Sequence, residues 1–150
     1  MARLPHHRPR PPPRTTPTPR PSWCYGIAGT ARAQQLAGIA LDDTTRQITA
    51  EHAMLAALRD PSQRALLPEI GLCHGKAGLL QSAFRMAVDA RSPALVAELP
   101  DLAAHLATQL TQNMTDPELM DGAAGAALAL HAVGTSATPA SAWDAVLLLA

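Results

Sequence analysis

Aromatic side chains are scarce in this chain of 150 residues, which contains two Trp, one Tyr and one Phe. Single-stranded nucleic acids bind proteins through stacked aromatic side chains, and all nucleic acids attract basic patches. Residues 1–20 carry five of the 12 basic side chains and no acidic one, which leaves seven basic against 12 acidic side chains in residues 21–150. The resulting net charge of −5, together with the shortage of aromatic rings, excludes a nucleic-acid-binding protein.

Long apolar runs and cysteines are also few. No stretch approaches the roughly 18 consecutive apolar residues of a membrane-spanning helix, and the N-terminal region lacks the apolar segment of a secretory signal. We therefore expect a cytoplasmic protein without a membrane span. In that compartment the two cysteines, Cys24 and Cys73, are expected to bind a metal or to act in catalysis, and a disulfide between them is the alternative.

Proline is concentrated at the N-terminus, where residues 1–21 contain eight of the 14 prolines. Each proline fixes φ and lacks a backbone N–H, so neither a helix nor a sheet propagates through such a segment. The sequence predicts a disordered Pro/Arg-rich tail over residues 1–19 and a folded segment over residues 20–150. The tail also resembles ligands of proline-reading domains, but an extension without a function is the simpler interpretation.

Helical periodicity dominates the rest of the sequence. Leu and Ala recur at spacings of three and four residues, whereas no stretch alternates at a period of two, and this predicts an all-α fold. The apolar faces are expected to include Ile48 and Val88, and Pro100 is expected to kink its helix or to start a new one. Helices are predicted over residues 27–41, 44–60, 76–90, 93–110, 122–133 and 141–150.

A Gly-x-x-Gly repeat recurs at near-equal intervals, with first glycines 49 and 47 residues apart. The copies are Gly26–Gly29, Gly75–Gly78 and Gly122–Gly125, and each precedes a helix rich in Ala and Leu. Two helices fit within one interval, which is typical of stacked helical hairpins. The sequence thus predicts a stack of helical hairpins whose apolar end faces need a cover.

Cysteine and histidine occupy matching positions in the first two copies of the repeat. Cys24 precedes the first glycine pair by two residues, and Cys73 and His74 precede the second by two and one. Equivalent hairpins would bring these side chains to one end of the bundle, where two thiolates and one imidazole are a ligand set for Zn²⁺. Three protein ligands leave one position open, which is typical of a catalytic zinc site. His52, His105 and His131 lie within predicted helices and are given no role.

Four short motifs follow one another along the chain. They are Ser-Trp-Cys-Tyr-Gly at residues 22–26, Gly-Leu-Cys-His-Gly-Lys-Ala-Gly-Leu at 71–79, Asp-Gly-Ala-Ala-Gly at 121–125 and Ala-Trp-Asp at 142–144. In this order and spacing, the chain resembles the C-terminal part of the lanthionine synthetase C-like family over about residues 20–150. The resemblance implies an α/α toroid with zinc at its mouth. It also implies a cyclase that adds a cysteine thiol of a dehydrated precursor peptide to dehydroalanine or dehydrobutyrine, forming a thioether ring.

The same resemblance implies roles for individual residues. It implies that Cys24, Cys73 and His74 hold Zn²⁺, and that Arg20 and Tyr25 line the active site beside the ion. The addition needs a thiolate at one carbon of the dehydro residue and a proton at the other. A Tyr hydroxyl or an Arg guanidinium near the thiolate could orient the peptide or stabilise the charge of the enolate.

The sequence departs from the family pattern in its length. Family members have an upstream half that contributes further hairpins, an acidic residue and a histidine, and here a Pro/Arg-rich tail stands in its place. We therefore expect a truncated fragment with impaired activity, whose toroid a second polypeptide could complete. A non-catalytic zinc-binding helical scaffold that binds a peptide or a partner subunit is the alternative function. A prenyltransferase with an α/α toroid is a third interpretation, which the cysteine motifs disfavour.

Overall fold

A computed structural model describes residues 20–112 and 116–150, so the predicted tail over residues 1–19 lies outside the described residues. The described part forms helices and contains no strand. The α-helices are α1 (Ile27–Ala40), α2 (Thr44–Arg59), α3 (Pro61–Ala65), α4 (Lys76–Ala90), α5 (Pro93–Gln112) and α6 (Ala123–Thr135), and a 3-10 helix spans Trp143–Leu147. The all-α prediction is therefore confirmed.

Helices α1 and α2 form one hairpin and α4 and α5 form the next, while α4 packs between α1 and α6. This central position explains why α4 is buried on nearly every side, with Leu79, Leu80 and Ala83 fully inaccessible to solvent. Met54 from α2 and Leu106 from α5 complete the same core without any exposed surface. The stack of helical hairpins expected from the repeat is thus present, with α6 as the first helix of the third unit.

Glycine brings the three repeat turns into close contact with their own helices. A Cβ atom on Gly78 would overlap with the carbonyl oxygen of Leu72, six residues earlier, and the second glycines of the other two turns meet the equivalent oxygen. Only glycine fits such a position, because the obstructing atom belongs to the backbone. Backbone hydrogen bonds then join successive turns, from Cys24 N to Cys73 O (3.4 Å) and from Cys73 N to Met120 O (3.0 Å).

Two details of the predicted helices are wrong. Ile48 is exposed because the buried face of α2 is formed by other residues, among them Met54 and Leu58. Val88 is exposed because the apolar face of α4 ends one residue earlier, beside the exposed Asp89. Of the two outcomes expected at Pro100, the start of a new helix does not occur, since α5 continues through it from Pro93 to Gln112. Pro100 lies on the solvent side of α5, where water can satisfy the carbonyl group that loses its hydrogen bond.

The predicted last helix is also shorter than expected. Residues 142–150, here called the C-terminal strap, contain five residues of 3-10 helix bounded by Ala142 (φ 49°) and Leu148 (φ 55°), both in the left-handed region. Long-range contacts replace the helical hydrogen bonds of this segment. Trp23 Nε1 donates to Leu147 O (3.0 Å), and Arg32 Nε donates to Leu149 O (3.0 Å).

A buried ion pair holds the start of the C-terminal strap. The Asp144 carboxylate, which has no exposed surface, lies 2.8 Å from Arg85 Nε and accepts a hydrogen bond from Gln81 Nε2 (2.6 Å). Both partners belong to α4, so the strap is fastened to the central helix of the stack. Among the described helices, none has both the length and the apolar character needed to cross a membrane.

Candidate metal centre

Three side chains converge where the first two repeat turns meet. The sulfur atoms of Cys24 and Cys73 and a ring nitrogen of His74 all lie within 4.8 Å of one another. Cys73 Sγ lies 3.8 Å from His74 Nε2. All three residues are half-buried, so the cluster is supported by the turns and still reaches solvent. Both cysteines are free thiols, which excludes the alternative disulfide in this structure.

The donor set fits a zinc ion. Bond lengths of about 2.3 Å to sulfur and 2.0 Å to nitrogen in a tetrahedron require donor atoms roughly 3.5–3.8 Å apart. The Cys73–His74 separation of 3.8 Å is close to this range, and the upper limit of 4.8 Å for the remaining pairs requires only small side-chain adjustments. Two thiolates and one imidazole form a soft donor set that suits zinc better than magnesium or calcium. The cluster supplies three protein donors, and a tetrahedral ion held by them would have one further position.

A carboxylate that the sequence analysis left without a role lies behind the histidine. Asp121 Oδ1 is 3.5 Å from His74 Nδ1, the ring nitrogen that faces away from Cys73. A carboxylate in this position favours the tautomer with a proton on Nδ1 and leaves Nε2 free to bind a metal. The repeat register contained the signal, because Asp121 occupies in the third turn the position that His74 occupies in the second. The Cys24 thiol has a similar contact, donating to the Ser22 hydroxyl at 3.9 Å.

Burial and nearby negative charge keep the Cys73 thiol protonated in the metal-free protein. Burial raises the pKa of the Cys73 thiol to about 11, and the hydrogen bond and charge of Cys24 and the charge of Asp121 add to the rise. The positive charge of Arg20 acts in the opposite direction. Cys73 is therefore a neutral thiol at pH 7 without a metal. A bound divalent cation reverses this balance, since it stabilises the thiolate and displaces the proton.

The structure places Arg20 and Tyr25 close to the cluster. Arg20 is exposed and near enough to affect the pKa of Cys73, while Tyr25 is exposed and lines a groove together with Cys24. The remaining described histidines stand apart from the centre, as exposed residues on helices; they are His52, His105 and His131.

Stacked helical hairpins with a Cys-Cys-His cluster where two turns meet define part of an α/α toroid with a candidate metal centre. The family model of the lanthionine synthetase C-like protein matches residues 6–148, so the chain belongs to the lanthionine synthetase C-like family. The structure is similar to that of nisin cyclase, with a TM-score of 0.76 and 23% sequence identity. This similarity covers 91% of the present chain and 33% of the nisin cyclase chain. A comparison with curated proteins finds no match.

The comparisons confirm the resemblance and the toroid fold that the sequence predicts. The chain spans about a third of the length of nisin cyclase. The helices of the described residues therefore correspond to a sector of a toroid rather than to a full ring.

Proposed function

We propose that this chain provides the zinc-binding part of a peptide-modifying cyclase, which forms thioether rings in a dehydrated precursor peptide. The convergence of two cysteine sulfurs and one imidazole nitrogen within 4.8 Å carries the proposal. Family membership supports it. Free thiols at both cysteines suit the reducing cytoplasm, where we place the protein.

In this proposal Cys24, Cys73 and His74 hold Zn²⁺, with Asp121 orienting the imidazole. When bound, zinc would supply a Lewis acid that keeps an incoming peptide thiol deprotonated at neutral pH. Two cysteine thiolates balance the charge of the ion, so the fourth ligand decides the net charge of the centre. The half-buried position of the cluster leaves the peptide thiol a path from solvent.

The reaction forms one carbon–sulfur bond and moves one proton. The peptide sulfur attacks the β-carbon of the dehydro residue, the electron pair of the double bond moves to the α-carbon and carbonyl as an enolate, and a proton then adds to the α-carbon. The thiol proton leaves to solvent, so the overall addition is balanced. Arg20, whose charge already acts on the cluster, would stabilise the enolate, and the Tyr25 hydroxyl would orient the peptide.

We further propose that the isolated chain cyclises its peptide poorly. The chain covers 33% of nisin cyclase, and among the described residues no further hairpin covers the end faces of the stack. An acid for the α-carbon is expected from the rest of the toroid, on the same chain or on a second polypeptide. A non-catalytic zinc-binding scaffold for a peptide or partner would share the metal centre and lack the thiol chemistry.

The test combines metal content with thiol binding. We expect about one zinc per chain, lost in C24S and C73S and retained in H105N, whose side chain lies on the surface of α5. Addition of 2-mercaptoethanol to the cobalt-substituted protein should increase the sulfur-to-cobalt absorption, because a third thiolate joins the metal. Zinc binding without this spectral change would identify the scaffold, and absence of zinc would refute the proposal.

A further inference from the structure

A groove of about 470 Å³ opens beside the candidate metal centre. The start of α1 forms one wall and the end of the C-terminal strap forms the other. Cys24 belongs to the lining of the groove, so the groove is continuous with the proposed zinc site. The lining residues share the lack of a charged side chain; they are Trp23, Cys24, Tyr25, Gly29, Thr30, Ala33, Gln34 and residues 147–149. The groove therefore suits an uncharged, largely apolar ligand.

Like Tyr25, Leu148 is a large side chain of this lining that the core leaves exposed. Its side chain is 78% exposed, whereas the neighbouring Leu147 and Leu149 are buried in the core. Its φ of 55° lies in the left-handed region, where a residue with a Cβ is strained and glycine is preferred. The chain thus holds a large apolar side chain in solvent at a strained position, without any gain from burial. The left-handed conformation ends the 3-10 helix, where the Leu148 N–H donates to the carbonyl oxygen of Ala145, so a leucine stands at a helix end where glycine is usual.

The wall that carries Leu148 is fixed on both sides. Trp23 Nε1 donates to the carbonyl oxygen of Leu147, and Arg32, itself buried, donates to that of Leu149 from Nε (3.0 Å) and Nη2 (2.7 Å). Because both neighbours are anchored, the exposed side chain keeps its place beside the metal centre. A preorganised contact of this kind costs little ordering when a ligand binds.

We infer that Leu148, together with Tyr25, forms a specificity site for an apolar side chain adjacent to the reacting cysteine of the substrate peptide. The inference rests on the proposed function, because the peptide thiol must bind at the metal for its neighbour to reach the groove. The groove meets the proposed zinc site at Cys24, and its lining has no charged side chain. Both features favour an apolar side chain of the substrate peptide over other partners.

The test uses the cobalt-substituted chain and short capped peptides. N-acetyl-Leu-Cys-Leu-amide and N-acetyl-Ser-Cys-Ser-amide are titrated while the sulfur-to-cobalt absorption is recorded, with 2-mercaptoethanol as a thiol without side chains. Contact of one leucine with an apolar wall should make the Leu peptide bind about fivefold more tightly than the Ser peptide. L148A should reduce the difference to less than about twofold. V146A is the matched control, since Val146 is 75% exposed on the same strap but does not line the groove.

Each outcome has a distinct meaning. Binding of 2-mercaptoethanol with equal affinities for the two peptides refutes the specificity site and leaves the proposed function standing. Absence of any thiol-dependent absorption refutes the proposed function and with it the inference. An equal loss of preference in V146A and L148A also refutes the site. The same holds if a second polypeptide completes the toroid and neither peptide then binds in the groove.

A second variant separates binding from folding. L148G removes the same side chain and relieves the left-handed strain, so its unfolding temperature should equal or exceed that of the wild type. The Leu-over-Ser preference should nevertheless be lost. Retention of the preference in L148G would show that the Leu148 side chain does not contact the peptide.

Discussion

Removal of the Asp144 carboxylate should be the most destabilising change in the C-terminal strap. The carboxylate has no exposed surface, contacts Arg85 at two points (2.8 and 3.3 Å) and accepts a hydrogen bond from Gln81. D144A would leave the Arg85 side chain, 11% exposed, without a counter-charge in the interior. Breaking a buried pair in this way costs about 3–5 kcal/mol of the free energy of unfolding. D144N keeps the shape and an acceptor for Gln81, so its cost should be smaller.

A surface pair of equal length provides the control. Glu98 lies 2.7 Å from Arg59, but the two side chains are 25% and 55% exposed. Water and salt screen such a pair, so E98A should cost less than about 1 kcal/mol. Because the N···O separations are nearly the same, the difference in cost between D144A and E98A measures the effect of burial on the ion pair.

Urea unfolding followed by circular dichroism measures both free energies. The full chain is used, with the wild type, D144A, D144N and E98A compared at one temperature and constant m value. If D144A lowers the midpoint so far that no folded baseline remains, D144N supplies the intermediate value. Equal costs for D144A and E98A, or a cost below about 1 kcal/mol for D144A, would refute the account of the buried pair.

Three further predictions concern the turns and the centre. D121N should weaken zinc binding about 10–100-fold in a competition assay with a chromophoric chelator, since the carboxylate orients the histidine ligand; unchanged affinity would contradict this role. Zinc affinity should rise with pH in the same assay, because the metal must displace a proton from Cys73, whose pKa is raised to about 11 in the metal-free protein; a flat profile from pH 6 to 8 would be inconsistent with it. G78A should lower the free energy of unfolding in urea by at least about 2 kcal/mol, because its Cβ would overlap with the Leu72 carbonyl oxygen. G134A is the control: Gly134 has open space around it, so alanine there should stabilise α6 by up to about 1 kcal/mol. Equal effects of the two alanine variants would remove the steric explanation.

The repeat register carried most of what the sequence could predict about the site. Turns at intervals of 49 and 47 residues placed Cys24 and Cys73 at equivalent positions, and equivalent positions become neighbours when the hairpins stack. The family resemblance added the toroid and the roles of Arg20 and Tyr25, which stay predictions. Local periodicity alone would have predicted helices without a centre.

Contacts between distant segments escaped the sequence analysis. Asp144 lies 59 and 63 residues from Arg85 and Gln81, so no local pattern announces that its charge is buried. The same long-range contacts divert the C-terminal strap from the predicted helix. Val88 was misplaced because helical spacing defines an apolar face but not the residue at which its burial ends.

The turns that carry Cys24 and Cys73 are neighbours, joined by a backbone hydrogen bond, although they lie far apart in the sequence. A metal shared by these turns would cross-link two points 49 residues apart and close a loop that contains the whole first hairpin. By analogy with a disulfide, a closure of this length removes about 4 kcal/mol of conformational entropy from the unfolded chain. The ion would then stabilise the fold as well as take part in the chemistry. Its removal by a chelator would loosen α1 and α2 from the stack before α4, α5 and α6 separate.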